Sequence, residues 1–253
     1  MKLSVVIPLH NEEGCVEEVI SAITDELRRE KLPYEIIAVN DNSTDNTRNI
    51  LAKLAGKDAQ IRIVDRKQPP GFGRAVKEGI ANCAGDCVAL VMGDASDDPK
   101  DIVKYYRKIE EGYDCVFGTR FAKESNVRDY PVLKFLINRL ANTFIRVLFF
   151  LSFNDVTNAF KAYRREVLDA VSPIQALGFN ITAEIPLKAI VRGYSYAVVP
   201  VNWYGRTSGV SKLKIRQMGR RYLFTVLHVW LEKMLIMDDL PRKNARSARR
   251  KNL

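Results

Sequence analysis

The 253-residue sequence has two histidines, four cysteines and two tryptophans. His10 and His228 alone cannot build a histidine-rich metal centre. Cys15, Cys83, Cys87 and Cys115 are too few and too scattered to staple a small secreted fold, and no signal-like segment follows Met1. The expectation is free thiols in a reducing cytoplasm. Cys83 and Cys87, four apart on an expected helix end with no histidine beside them, do not read as a zinc site. There is no internal repeat and no Gly/Ser linker. The longest apolar stretch, residues 131–153, is broken by Lys134, Arg139 and Arg146, whereas a membrane-spanning helix needs about 20 predominantly apolar residues. With 47% hydrophobic and 28% charged residues, the chain has ample material for a core, which argues against wholesale disorder.

Charge is unevenly placed. Residues 205–253 hold 13 Lys/Arg against 3 Asp/Glu, so the whole excess of +10 lies there and residues 1–204 are neutral. A neutral globule with a basic end suits an anionic surface: phospholipid headgroups, nucleic acid or a phosphorylated substrate.

Short β-branched runs punctuate the first half: Leu3–Ile7, Glu35–Val39, Ile61–Val64, Cys87–Met92 and Asp114–Phe117. Between them lie helical apolar spacings such as Val16, Val19, Ile20, Ile23 and Leu27. Strand and helix in alternation predict an α/β fold, a mostly parallel twisted sheet covered on both faces. Ligands of such sheets bind beyond the carboxyl ends of the strands, and the polar clusters fall there: Pro8–Glu13, Asp41–Asp45 and Asp94–Asp98. Residues 131–153 and 222–237 read as amphipathic helices, packed on the sheet or lying on a membrane surface, and 241–253 as a polar basic tail. The partition expected is a catalytic unit over 1–214 and a C-terminal helix with its tail over 215–253.

The segment Val91-Met92-Gly93-Asp94-Ala95-Ser96-Asp97-Asp98-Pro99 carries the strongest chemical signal. Three carboxylates within five residues repel one another unless a cation sits among them, and hard oxygen ligands suit Mg²⁺ or Mn²⁺. The competing explanation is helix capping, since Asp97 or Asp98 before Pro99 can start a helix from Lys100. Asp41 ends its strand where it could accept from a base or ribose, and Ser43 or Thr44 could cap the next helix. Gly71-Phe72-Gly73 is half of a dinucleotide fingerprint and a weak one.

Together, V-V-I-P-x-x-N-E ending the first strand, D-x-S-x-D ending the second, G-x-G-x-A before the acidic loop, and G-T-R-F at Gly118–Phe121 resemble the family 2 glycosyltransferases of GT-A fold. Asn158–Arg164 and the stretch from Trp203 to Leu213 are similar to the dolichyl-phosphate mannose synthase and polyprenyl-phosphate glycosyltransferase branch. Asn42 stands where the family pattern has glycine, Asn158–Lys161 replace S-G-F-R, and the usual D-x-D reads Asp94-Ala95-Ser96-Asp97.

The resemblance implies an inverting, metal-dependent transfer of a hexose, mannose or glucose, from a GDP- or UDP-sugar to a polyprenyl phosphate. Pro8, His10, Glu12 and Asp41 would line the base and ribose. Asp94 and Asp97, with Asp98 as substitute, would hold the Mg²⁺ or Mn²⁺ on the diphosphate. Arg120 and Lys161 would meet the acceptor phosphate, and Arg206, Ser211 and Lys212 would close over the donor phosphates. Glu184 occupies the region where relatives acting on hydroxyl acceptors carry their base; its plain alternative is a helix-start carboxylate. A lipid acceptor implies peripheral association with the cytoplasmic face of a membrane, directly or through an anchor subunit. Two other functions compete: transfer to a saccharide hydroxyl, and a non-catalytic nucleotide or nucleic-acid binder, although the basic tail lacks the interleaved aromatics of sequence-specific nucleic-acid recognition.

Overall fold

A computed structural model describes residues 1–205 and 215–240. Strands β1 (Leu3–Leu9), β2 (Tyr34–Asp41), β3 (Ile61–Arg66), β4 (Cys87–Leu90) and β5 (Cys115–Thr119) form where the β-branched runs predict them. Helices α1 (Val16–Arg29), α2 (Thr47–Lys57), α3 (Phe72–Ala81) and α4 (Pro99–Glu110) connect them. The remaining elements are β6 (Val127–Arg128), α5 (Val132–Phe149), β7 (Lys161–Arg164), α6 (Arg165–Ala170), α7 (Ile181–Val191), β8 (Tyr196–Pro200), β9 (Trp203–Tyr204) and α8 (Ile215–Leu235).

Seven strands make one sheet in the order β3-β2-β1-β4-β7-β5-β8. β2 and β4 flank β1, so the connections leave in opposite directions and open a crevice at the carboxyl ends of β1 and β4. All pairings are parallel except those of β7, which runs antiparallel between β4 and β5 and sets Lys161 level with Leu90 and Phe117. The alternation of β1 shows why both faces are covered: Leu3, Val5, Ile7 and Leu9 enter the core beneath α1, α2 and α4, while Val6 enters the one beneath α3 and α7. All four cysteines are buried and none forms a disulfide. Cys87 opens β4 instead of sharing a helix end with Cys83, and burial pushes the two thiols up, to about 12 and about 11 respectively.

The amphipathic reading of α5 and α8 meets an unexpected distribution. On α5 only Asn142, Ile145 and Phe149 are buried, whereas Val132, Leu133, Leu136, Leu140 and Val147 are exposed, and Phe150 beyond the helix end is 89% exposed. On α8, Val226 and Val229 face the core and Leu223, Phe224, Leu231, Met234 and Leu235 face outward. Among the described residues, no helix is long and apolar enough to cross a membrane. α8 is docked by Tyr222, whose hydroxyl donates to the Phe179 carbonyl (2.7 Å) and lies 2.8 Å from Thr182 Oγ1.

Close approach of α3 to the sheet depends on one glycine. A Cβ on Gly79 would lie 2.3 Å from Val6 Cγ1 and 3.1 Å from Val39 Cγ2, both in the packed core. Gly79→Ala should cost about 1–3 kcal/mol through overpacking, read as a lower urea midpoint with an unchanged slope.

Candidate active site

The first two loops at the sheet's carboxyl edge are tied together by backbone and side chain. His10 Nδ1 lies 2.7 Å from the Asp41 carbonyl oxygen, and the Glu12 amide donates to Thr47 Oγ1 (2.9 Å). Asn11 and Asn42 both hold left-handed backbone, φ 52° and 58°. Asparagine tolerates this region, which is how Asn42 can replace a turn glycine. Ser43 and Thr44 do not cap α2 as expected. The Asn11 amide donates to Ser43 Oγ (3.1 Å) and the Thr44 amide to Asn11 Oδ1 (2.7 Å), so both bind the neighbouring loop.

Asp41 is tightly held. Its Oδ2 accepts from the Gly71 amide (2.7 Å), and its Oδ1 accepts from Arg66 and from Asn42 Nδ2. It thereby fixes the start of α3. Gly71-Phe72-Gly73 has a packing purpose there: a Cβ on Gly73 would meet the Gly178 backbone at 2.8 Å. Phe72 stacks on Phe179 with ring centroids 4.3 Å apart.

The acidic loop resolves into three different carboxylates. Asp94 and Asp97 line the same cleft as His10, Glu12 and Asp41. Asp97 Oδ2 accepts from the Met92 amide (2.9 Å), yet burial pushes its carboxyl up to about 7, with Asp94 adding repulsion. Asp98 is the N-cap of α4: its Oδ1 accepts from the Lys100 amide (3.0 Å) and its Oδ2 from Asn202 Nδ2 (3.2 Å). The expectation of Asp98 as a metal ligand is therefore corrected, because it caps α4 and does not line the cleft with Asp94 and Asp97. Ala95 between the ligand candidates has φ 60°, a strained conformation for a residue with a Cβ. Segment β9 latches this loop, through an Asp97–Trp203 bridge and a Tyr204 amide donating to the Ser96 carbonyl (3.0 Å).

The described residues contain no cluster of three or more His, Cys, Asp or Glu able to hold a metal. Two carboxylates nonetheless fit Mg²⁺ or Mn²⁺, which such sites hold by one or two carboxylates, substrate phosphates and water. A half-buried acid whose ionisation is suppressed by burial and by a like charge is the donor that a cation would relieve.

Arg120 lines the cleft but is not a free cation. Its Nε and Nη2 donate to the two oxygens of Asp155 (2.8 and 2.7 Å), and its amide donates to Oδ2 (3.0 Å). Burial opposes the guanidinium charge, but Asp155, fully buried, outweighs it and holds Arg120 above its ordinary range. Lys161 is also corrected. It is 1% exposed and does not line the cleft; its Nζ donates to the Val156 and Asn158 carbonyls beneath the cleft floor. Burial lowers it to about 7. Glu184 does not line the cleft either: it is 1% exposed, pairs with Lys188 (2.7 Å) and accepts from the Gln175 and Ala176 amides (2.8 and 2.6 Å). It anchors a loop, because its position on α7 points it at that backbone. Arg206, Ser211 and Lys212 lie outside the described residues.

Several lining residues had no sequence signal of their own. Ile137, Leu140, Ala141 and Phe144 of α5, with Met218, Tyr222, Leu223 and Val226 of α8, form an apolar gallery on the far side of the cleft. Tyr130 and Trp203, ring centroids 4.8 Å apart, stand between that gallery and the acidic loop. Asp155, the partner of Arg120, sits in an unremarkable Phe-Asn-Asp-Val run.

A cleft at the switch point of a mostly parallel sheet, with two aspartates among its polar loops, defines the class of fold as GT-A. The chain belongs to glycosyl transferase family 2, whose sequence model matches residues 4–172. It is 33% identical over 217 residues to a dolichol-phosphate mannosyltransferase of Pyrococcus furiosus, covering 85% of this chain and 60% of that protein. It is 28% identical to a polyprenol monophosphomannose synthase of Mycolicibacterium smegmatis, covering 83% and 80%. The fold matches that of glucosyl-3-phosphoglycerate synthase from Mycobacterium tuberculosis in complex with Mn²⁺, uridine diphosphate and phosphoglyceric acid. That likeness has a TM-score of 0.69 at 22% identity and covers 90% of this chain and 78% of that one.

Two measurements check the buried charges. Asp155→Ala strands the Arg120 guanidinium and should cost about 3–5 kcal/mol in denaturant titration. For Lys161, the unfolded chain keeps a proton that the folded one gives up between pH 7 and about 10, so stability contributed by this site rises with pH over that window. The stability difference between wild type and Lys161→Met should climb from pH 7 to pH 10; a flat difference would show that Lys161 titrates normally.

Proposed function

We propose that this chain transfers a hexose from a nucleoside-diphosphate sugar to a polyprenyl phosphate at a membrane surface. The observation that carries it is the composition of one cleft, about 1220 Å³, larger than the 300–1,000 Å³ usual for a single small ligand. One side presents His10, Glu12, Asp41, Asp94, Asp97 and Arg120, and the other is the apolar gallery of α5 and α8. A polar donor and a lipid acceptor would meet between them. The two named mannosyltransferase relatives support the acceptor class, and mannose is the sugar their names carry.

In this reading Pro8, His10, Glu12 and Asp41 receive the base and ribose, and Arg206, Ser211 and Lys212 close on the donor phosphates. A Mg²⁺ or Mn²⁺ held by Asp94 and Asp97 would neutralise charge on the departing diphosphate. Arg120, its Nε and Nη2 fixed by Asp155, offers Nη1 to the acceptor phosphate in a preset orientation. A phosphomonoester has a second pKa of about 6 and is largely dianionic at pH 7, so it attacks without a general base. The burial of Glu184 away from the cleft agrees with such an acceptor. Displacement would be in line, with inversion at the anomeric carbon. The exposed apolar rows of α5 and α8, with the basic residues of 241–253, support peripheral association with the cytoplasmic face of a membrane, alone or beside an anchor subunit.

Purified protein with Mn²⁺, GDP-mannose and a polyprenyl phosphate in detergent should yield the lipid-linked sugar. Asp94→Ala should lose about a hundredfold or more in rate; full activity of that variant in excess chelator would end the metal assignment. Glu184→Gln should lower thermal stability and leave turnover of the folded protein within a few-fold. Loss of turnover by orders of magnitude would instead favour a saccharide hydroxyl as acceptor.

A further inference from the structure

A second cavity, about 550 Å³, lies between the 175–180 segment and α8. Arg74, Leu177 and Arg221 line both it and the main cleft, and so form the partition. The remaining lining includes Gln175, Asn180, Arg220, Phe224 and Thr225, with no carboxylate. Three guanidiniums thus surround one space without a counter-charge. Arg74 donates to the Pro70 carbonyl (3.3 Å), and among the described residues none of the three pairs with an acid.

Asn180 supplies the second observation. It is 6% exposed, its Nδ2 donates to Thr225 Oγ1 (2.9 Å), and its Oδ1 is buried without a partner. A Cβ on Gly178 would lie 3.2 Å from Arg221 Nη1 and 3.4 Å from Asn180 Oδ1, so guanidinium and amide flank the same spot. With the amide turned over, the Thr225 hydroxyl satisfies Oδ1 and Nδ2 becomes a further donor beside the arginines.

We propose that this annex binds the phosphate of an anionic phospholipid headgroup, separately from the acceptor of the main cleft. The inference rests on the membrane association proposed above. Guanidinium clusters are the side chains best matched to phosphate oxygens. A lipid source, in preference to free phosphate, follows from the rim. Phe224 lines the annex and is 63% exposed, and it begins the outward row Phe224, Leu227, Leu231 and Leu235, spaced by three, four and four residues along one face of α8. A headgroup in the annex would lay its acyl chains along that row.

The test uses the full chain and vesicles of phosphatidylcholine with or without phosphatidylglycerol, at fixed ionic strength. Arg220 lines the annex but not the cleft, and Asn180→Asp sets a carboxylate among the arginines. Affinity for phosphatidylglycerol vesicles should fall about tenfold in Arg220→Gln and in Asn180→Asp, beyond the roughly fivefold or smaller loss that one surface charge explains, for which Lys233→Gln is the control. Binding to pure phosphatidylcholine should not change. Hexose transfer by Arg220→Gln in detergent should match wild type, and that assay reads the proposed function independently. Equal losses in Arg220→Gln and Lys233→Gln with Asn180→Asp unaffected would overturn the annex. Saturable stabilisation by soluble sn-glycerol 3-phosphate without any phosphatidylglycerol dependence would overturn the lipid source.

Discussion

The cleft depends on a buried pair of opposite charges. Asp155 has no exposure, Arg120 meets both of its oxygens and Arg139 Nη2 lies 3.8 Å from Oδ1, so each buried charge needs an opposite one beside it. That mutual need fixes two segments at once, the end of β5 with its following residues and the loop before β7. Lys161 adds a third tie, holding the carbonyls of Val156 and Asn158 from below. The backbone that forms the cleft floor at 157–159 is therefore set by charge compensation as much as by apolar packing. In the proposed function such a floor would hold the guanidinium in place beneath an arriving anion, which is the condition under which a fixed cation favours a transition state.

The acidic loop follows the opposite logic. It brings like charges together: Asp94 repels Asp97, burial suppresses the ionisation of Asp97, and Ala95 holds a strained left-handed turn between them. These costs persist because the loop is clamped from both sides, by the Met92 amide within and by β9 across it. Backbone strain and like-charge repulsion concentrated on one loop are what the proposed Mg²⁺ or Mn²⁺ would relieve. The same clamp ties loop 94–98 to Trp203, immediately before the chain segment that carries Arg206, Ser211 and Lys212.

The sheet and its edge were legible because their signals are local. Five β-branched runs and the intervening helical spacings identify β1 to β5 and α1 to α4, and the polar clusters at the strand ends identify the loops that gather at the cleft. Short β7 was not legible as a strand: Lys161-Ala-Tyr-Arg has no alternation long enough to read, and its place between β4 and β5 is set by tertiary contacts. Residue roles failed where a partner distant in sequence decides them. Arg120 looks like a free phosphate ligand until Asp155, 35 residues away, engages it. The family resemblance makes Lys161 a phosphate ligand, but a cation within the apolar run Ala159–Tyr163 can equally satisfy buried carbonyls, as it does here. Glu184 at a helix start looks like a base until the loop at 175–176 is folded onto it. Asp98 shows the reverse, since its local capping signal was sound and outweighed its membership in an acidic cluster.

The apolar faces of α5 and α8 are the part of the molecule that folding leaves unfinished. Isolated exposed leucines are ordinary on protein surfaces, but contiguous rows on neighbouring helices are not, and they mark a surface that another apolar medium covers. These rows continue the gallery that lines the cleft: Leu140 and Leu223 belong both to the lining and to the exposed set. A lipid chain in the proposed acceptor site would find apolar side chains shared by gallery and open face at these positions. Apolar insertion of limited depth binds a bilayer only marginally, and a second, electrostatic attraction is what makes such binding persist. The basic excess of the chain lies in the last 49 residues, before, on and beyond the helix that carries one of those rows. Under the proposed function, one of the two apolar rows and the whole charge excess fall within the same 49 residues of sequence, so that stretch would supply both of the attractions a bilayer needs.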